Sequence, residues 1–360
     1  MPVIVPVKRK VIRSMLIGLT VFIFAFSVLS MLFIKIVYDS NFKRCDYPKY
    51  SGYLRYEHVP EYDRRIVKFR SGQNTLTGYI YGEKSDKGLI VIAHGLGGGA
   101  ESYLAETIYF VERGWRVFSY DGTGCYDSEG KNSVGLAQSV LDLDAALKYI
   151  KSSDSQNRLP VMLYGHSWGG YAVASVLNYD HNISAVVSIA GFDSPKNMLT
   201  EQAQVIMGKF LAAIEYPFAQ LYQKMLFGRA ANFTAVDGIN LSNIPVMIIH
   251  GEADEAIAYH GASIIAQREN ITNPNAIFKT CNKAGHNGHS NLSASAGAAA
   301  YIVEMNEIFK ALYDRFNGDV PDNEKAEYYA TVDPFKTSEL DTEFMDEIHH
   351  FFEAQLDSLR

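Results

Sequence analysis

The sequence predicts an α/β protein: a mostly parallel sheet flanked by helices, with a helical cap insertion and one N-terminal transmembrane helix. Three observations predict it. From residue 89 onward, short and continuously apolar runs alternate with helix-like stretches. Most of these runs end in glycine or a polar motif. An uncharged stretch of about 20 residues, Met15 to Ile34, stands near the N-terminus.

At about 1.5 Å of rise per residue, that stretch matches a hydrocarbon core about 30 Å thick. Lys8, Arg9, Lys10 and Arg13 precede it. The run is longer than the apolar region of a cleaved signal peptide, and no small-residue cleavage site follows. The expectation is an uncleaved signal anchor over residues 1–38, then a stalk over 39–64. The leading basic cluster favours a cytoplasmic N-terminus and an extracytoplasmic domain. Lys35, Lys43, Arg44 and Lys49 follow the run and weaken that asymmetry.

The domain itself is expected from residue 65 to the end. Arg65–Phe69 and Leu76–Tyr81 flank the turn Ser71–Asn74 and read as an antiparallel hairpin. LIVIA at 89–93, RVFSY at 116–120, PVMLY at 160–164, ISAVVSIA at 183–190, PVMII at 245–249 and AIFKT at 276–280 read as buried strands. Between them, residues 102–112, 134–150, 170–177 and 262–268 read as helices. Alternation of this kind gives a parallel sheet covered on both faces, with its ligand site at the strand C-terminal ends.

Two segments interrupt the alternation. Residues 192–243 carry LTEQAQVIMGKFLAAIEYPFAQLYQKMLF, which reads as two amphipathic cap helices. After His289, residues 292–316 read as a helix, 317–340 as polar turns, and 342–356 as a closing helix with Phe344, Met345, Ile348, Phe351 and Phe352 on one face.

The formal net charge is −7, and no long basic run occurs beyond the N-terminus, which argues against nucleic acid as a partner. Cys45, Cys125 and Cys281 are too few and too scattered for a disulfide framework or a zinc site.

Gly165-His166-Ser167-Trp168-Gly169 fits G-x-S-x-G between an apolar strand and a helix. Such a turn lifts the serine oxygen clear and aims a helix N-terminus at developing negative charge. A serine hydroxyl needs a base at neutral pH. His286, after the last strand, is the expected base, with His289 as its rival. His94, His166 and His250 read as structural or pocket-lining. Asp254, just after PVMII, is the expected acid, ahead of Asp193 and Glu252. Ser167, Asp254 and His286 then follow the chain order Ser, acid, His. The backbone N–H groups of Leu96, in HGLGGG, and of Trp168 are the expected oxyanion donors.

At these residues the chain resembles the α/β-hydrolase superfamily. HGLGGG is similar to its oxyanion loop, YDGTGCYDSEG to the loop after the next strand, GHSWGG to its nucleophile turn, and HGEAD and AGH to its acid and histidine segments. Within it, the chain is similar to the serine aminopeptidase-like and monoacylglycerol-lipase-like branch, which includes membrane-anchored members. Thr123 departs from that branch, where many members carry Arg, as does the insertion after the histidine.

The function expected from these residues is cleavage of carboxylic esters through an acyl-enzyme, with no metal or organic cofactor. The partners expected are a small acyl ester or peptide substrate and the membrane. An aminopeptidase would need a cap carboxylate for the substrate ammonium, for which Glu201 and Glu215 are available. A non-catalytic, membrane-tethered binding protein is the alternative of another class.

Overall fold

The computed structural model describes residues 7–153, 156 and 158–357. In chain order the elements are helix α1 (Val7–Asn41), strands β1 (Arg64–Ser71), β2 (Asn74–Tyr81) and β3 (Leu89–Ala93), α2 (Leu104–Glu112), β4 (Arg116–Tyr120), α3 (Gln138–Ser152), β5 (Val161–His166), α4 (Trp168–Ser175), β6 (Ala185–Ile189), α5 (Pro195–Phe227), α6 (Ala235–Ser242), β7 (Val246–Gly251), β8 (Ala276–Cys281), α7 (Ala296–Arg315), α8 (Asp322–Thr331), α9 (Pro334–Thr337) and α10 (Thr342–Asp357).

One eight-stranded sheet has the order β1-β2-β4-β3-β5-β6-β7-β8. The expected hairpin pairs Arg64 with Tyr81 through Ser71 with Asn74. β2 runs antiparallel to β4, and β4, β3, β5, β6, β7 and β8 are mutually parallel. The apolar runs are continuous because both faces are covered. Leu89, Val91 and Ala93 of β3 join the core under α3 and α4, whereas Ile90 and Ile92 join the core under α2 and α10. β7 divides in the same way, with Val246 and Ile248 on one side and Met247 and Ile249 on the other.

Residues 39–64 do not form a free stalk. α1 continues to Asn41, and Phe42 and Leu54 are buried. The Arg44 guanidinium donates to the carbonyls of Tyr126, Ser128 and Gly130, and the backbone at Cys45 pairs in parallel with that at Cys125, both thiols being free. Arg44 is thus a strap to the domain, its terminal nitrogens on these carbonyls and its Nε paired with Asp46 at 2.7 Å. Residues 317–340 are not all turns, since they hold α8 and α9. Asp333 caps α9 by accepting from the amides of Phe335 and Lys336.

The cap insertion is one long helix, α5, broken at Gly208, where φ 78° and ψ 161° leave the helical region. Only glycine adopts that conformation readily. The break produces the two helical arms expected from the sequence. By length and composition, residues Arg9–Asn41 of α1 are long and apolar enough to cross a membrane, with mean hydropathy 2.5 in the most apolar window.

Candidate active site

The β5–α4 turn is built from close backbone approach. A Cβ on Gly165 would lie 2.3 Å from the Gly169 carbonyl oxygen, and one on Gly169 would lie 1.9 Å from that of Ala93. Only hydrogen fits at either position. Ser167 between them has φ 58° and ψ −117°, a strained conformation for a residue with a side chain, and its N–H donates to Ile189 O at 2.8 Å. The turn therefore holds the Ser167 hydroxyl out beyond the sheet edge.

Ser167 Oγ lies 2.8 Å from His289 Nε2, and His289 Nδ1 lies 2.8 Å from Asp254 Oδ2. The structure thus corrects the expected base: His289, not His286, stands between the serine and the acid. The reason lies in the loop after β8. Ala253 N–H donates to Asn287 O at 2.9 Å, which folds the loop back onto the end of β7. Gly251 leaves room for it, because a Cβ there would sit 2.3 Å from that same oxygen. Gly288 N–H then donates to Asn291 Oδ1, and His289 N–H to Glu255 Oε2. His286 stops short, in a turn closed by its own N–H on Lys283 O, and its buried Nδ1 has no hydrogen-bond partner.

Asp254 is where the sequence expects the acid. Burial by itself would raise its carboxyl. Hydrogen bonds from His250, His289 and the Ile257 amide outweigh burial and hold it well below the ordinary carboxylate range. Ionised, it fixes the proton of His289 on Nδ1 and leaves Nε2 to accept from Ser167. Its other oxygen accepts from the amides of Ala256 and Ile257 at 2.9 and 2.8 Å. His250, read from the sequence as structural or pocket-lining, is a positioning residue behind the acid. Its Nε2 lies 3.1 Å from Asp254 Oδ2 and 3.0 Å from Ile257 O. Asp193 instead accepts from Val236 N–H and the Asn197 amide and anchors the cap.

His166 holds His289 from behind. Burial first, and the neighbouring His289 second, press its pKa down to about 4. Neutral, its Nε2–H donates to His289 O at 2.8 Å, and Nδ1 accepts from Tyr103 OH at 2.9 Å. Burial likewise lowers His94 to about 4. His94 Nε2 accepts from Gly122 N–H, and Nδ1–H donates to Gly95 O, which joins the two loops after β3 and β4.

The expected donor loop lies against the serine. A Cβ on Gly95 would sit 3.6 Å from Ser167 Cβ, and Gly98 N–H closes a turn on Gly95 O with Leu96 at its corner. Trp168 is the first residue of α4, so its N–H has no intrahelical acceptor. Thr123 is buried and donates through both N–H and Oγ1 to Asp142 of α3, so its loop is tied inward. Beside His289 opens a cavity of about 370 Å³, lined by Tyr53, Glu101, Tyr103, Glu106, His166 and Leu340 among others. The cap carboxylates considered for an ammonium are engaged elsewhere. Glu201 accepts from the amides of Ala258 and Ala262, and Glu215 accepts from Ser30 of α1.

The strand order, with serine on the β5–α4 turn, acid after β7 and histidine after β8, is that of the α/β-hydrolases: this chain has the α/β-hydrolase fold. Residues 84–226 match the family described as serine aminopeptidase, S33. The quorum-quenching protein AidA of Acinetobacter baumannii (strain MDR-ZJ06) is 30% identical over 131 residues, 35% of this chain and 43% of AidA. The protein YfhR of Escherichia coli (strain K12) is 27% identical over 173 residues, 47% of this chain and 54% of YfhR. The chain spans about half the length of the curated relatives it matches. Among solved structures, the esterase Pf2001 of Pyrococcus furiosus superposes with a TM-score of 0.52 at 17% identity, covering 74% of this chain and 98% of that one. An α/β hydrolase of Vibrio vulnificus superposes with 0.50 at 15% identity, covering 71% and 83%. These two likenesses carry the fold.

Proposed function

We propose that this protein is a serine hydrolase that cleaves carboxylic esters and is tethered to a membrane by α1, with its catalytic domain outside the cytoplasm. The observation that carries the chemistry is the hydrogen-bonded chain Ser167 Oγ, His289, Asp254 behind a strained serine turn. In this reading Ser167 Oγ attacks the ester carbonyl carbon and His289 Nε2 takes its proton. The amides of Leu96 and Trp168 hold the oxyanion. The tetrahedral intermediate expels the alkoxide, which leaves as the alcohol with the proton from His289. Water repeats the sequence on the acyl-enzyme and releases the acid.

The match to a serine aminopeptidase family favours a second reading, an aminopeptidase on the same three residues. The engagement of Glu201 and Glu215 with other partners weighs against it. The deciding experiment labels wild type, S167A, H289A and H286A with a fluorophosphonate, and assays acyl esters beside aminoacyl amides. Labelling that survives in H286A and is lost in S167A and H289A supports the reading, and the preferred leaving group separates esterase from peptidase. A folded wild type that never labels overturns it in favour of a binding protein.

A further inference from the structure

α1 does not leave the domain cleanly. Its C-terminal part leans on the cap helix. Phe26 packs edge-on to Phe218 with ring centroids 5.8 Å apart, Ser30 Oγ donates to Glu215 Oε1 at 3.1 Å, and Tyr38 meets Tyr222 at 4.9 Å. Ser30, Ile34 and Tyr38 are buried by these contacts and by the domain. The uncharged run of α1 ends at Ile34. Phe26 is therefore about 12 Å, and Ser30 about 6 Å, inside that run at 1.5 Å per residue. A helix packed on those positions cannot stand in water while the run stands in hydrocarbon.

The exposed face of α5 has the matching chemistry. Val205 is 77% exposed, Ile206 73%, Phe210 77% and Met225 68%, with Leu211 and Leu221 about half exposed. A soluble surface rarely carries so many large apolar side chains on one element. The charged residues between 205 and 225 are Lys209, Glu215 and Lys224: Glu215 faces α1 and accepts from Ser30, and the long lysine stems let the ammonium reach a headgroup while the methylenes stay in lipid.

We propose that α5 is a second membrane contact, immersed in the same leaflet as the C-terminal half of the uncharged run of α1, with Val205, Ile206, Phe210, Leu211, Leu221 and Met225 against lipid acyl chains. This rests on α1 being the membrane tether. The occupant is lipid rather than a second copy of the chain, because the depth of the α1 contacts fixes the depth of α5. At its start α5 also holds the loop after Asp254, through Glu201 and the amides of Ala258 and Ala262. The immersion of α5 thereby sets the position of that loop relative to the lipid surface.

The test uses the full chain carrying Cys45→Ser, Cys125→Ala and Cys281→Ser. Single cysteines replace Phe24, Phe210, Met225 or the distant Lys84, each labelled with an environment-sensitive fluorophore in phosphatidylcholine–phosphatidylglycerol vesicles. Circular dichroism checks that each variant is folded. Probes at 24, 210 and 225 are expected to be quenched several-fold more by nitroxide-bearing lipid than the probe at 84, and less by aqueous iodide. Lipid quenching at 24 with iodide quenching at 210 and 225 overturns the immersion of α5 and leaves the tether standing. Iodide quenching at 24 as well overturns both. A probe at 210 shielded from both quenchers means a protein partner covers the face, and also overturns the proposal.

Discussion

The turn that presents the half-buried Ser167 hydroxyl costs a backbone at φ 58°, and the surrounding glycines and the Ile189 carbonyl keep it there. Its neighbours supply two tests. Replacing His289 by Ala is expected to cut ester turnover by about 10⁴-fold or more, because members of a catalytic unit fail together. Replacing His286 by Ala should leave turnover within a few-fold, and a large loss there would overturn the assignment. Glu106 gives a test of stability. Burial raises its pKa to about 7, against a softer opposing pull from its own backbone amide and from Ser293. Its folded pKa is above its unfolded value, so the native state binds the extra proton. Stability is then full below about pH 4.5 and falls as the pH rises to about 7. Glu106→Gln removes the dependence. The variant is expected to gain about 3 kcal/mol over wild type at pH 8 and nothing at pH 4, read from urea unfolding at both values.

At the scale of elements, α10 shows how an amphipathic helix closes the sheet. Phe344, Met345, Ile348, Phe351 and Phe352 are all buried, and Phe352 packs near Phe110 and Trp115. Truncating Phe352 to Ala is expected to cost about 3–5 kcal/mol, measured by denaturant unfolding, since the aromatic cluster cannot collapse into the gap. α5 obeys a different logic. It is broken at Gly208 and contains Pro217, and many of its outward side chains are large and apolar. Its register comes from contacts with α1 and the Asp254 loop rather than from its own periodicity.

For the molecule as a whole, the membrane reading predicts a simple fractionation. The full chain should stay with membranes through high salt and alkaline carbonate and dissolve only in detergent, because the apolar α1 would hold it by hydrocarbon burial rather than by charge. Release by salt alone would remove the tether. The position of α1 also has a consequence for the domain. Ile34 and Tyr38 of α1 belong to the main core beside Phe42 and Phe227, so excising α1 uncovers apolar surface.

The strands, the serine turn and the placing of Asp254 beyond β7 were legible in the sequence because each depends on short-range pattern. A doubly covered strand is apolar at every position, a sharp turn needs glycine where a Cβ would strike a carbonyl, and the acid lies within a few residues of its strand. Helix α1 was legible for the same reason, as one long uncharged run. The histidine was not. Choosing between His286 and His289 depends on how far a loop travels before it meets the serine, and that distance is set by Asn287 docking on the end of β7, far away in sequence. The 39–64 segment and the turn-rich 317–340 segment were misread likewise, because Arg44 finds carbonyls beyond residue 125 and α8 is a largely polar helix held by Tyr328 and Tyr329 packing on Phe309 of α7. The sequence by itself determined the sheet, its coverage and the tight turn at Ser167. Only tertiary structure decided which histidine completes the site and where the cap lies, since both are settled by contacts between segments distant in sequence, Asn287 with Ala253 for the histidine and Ser30 with Glu215 for the cap.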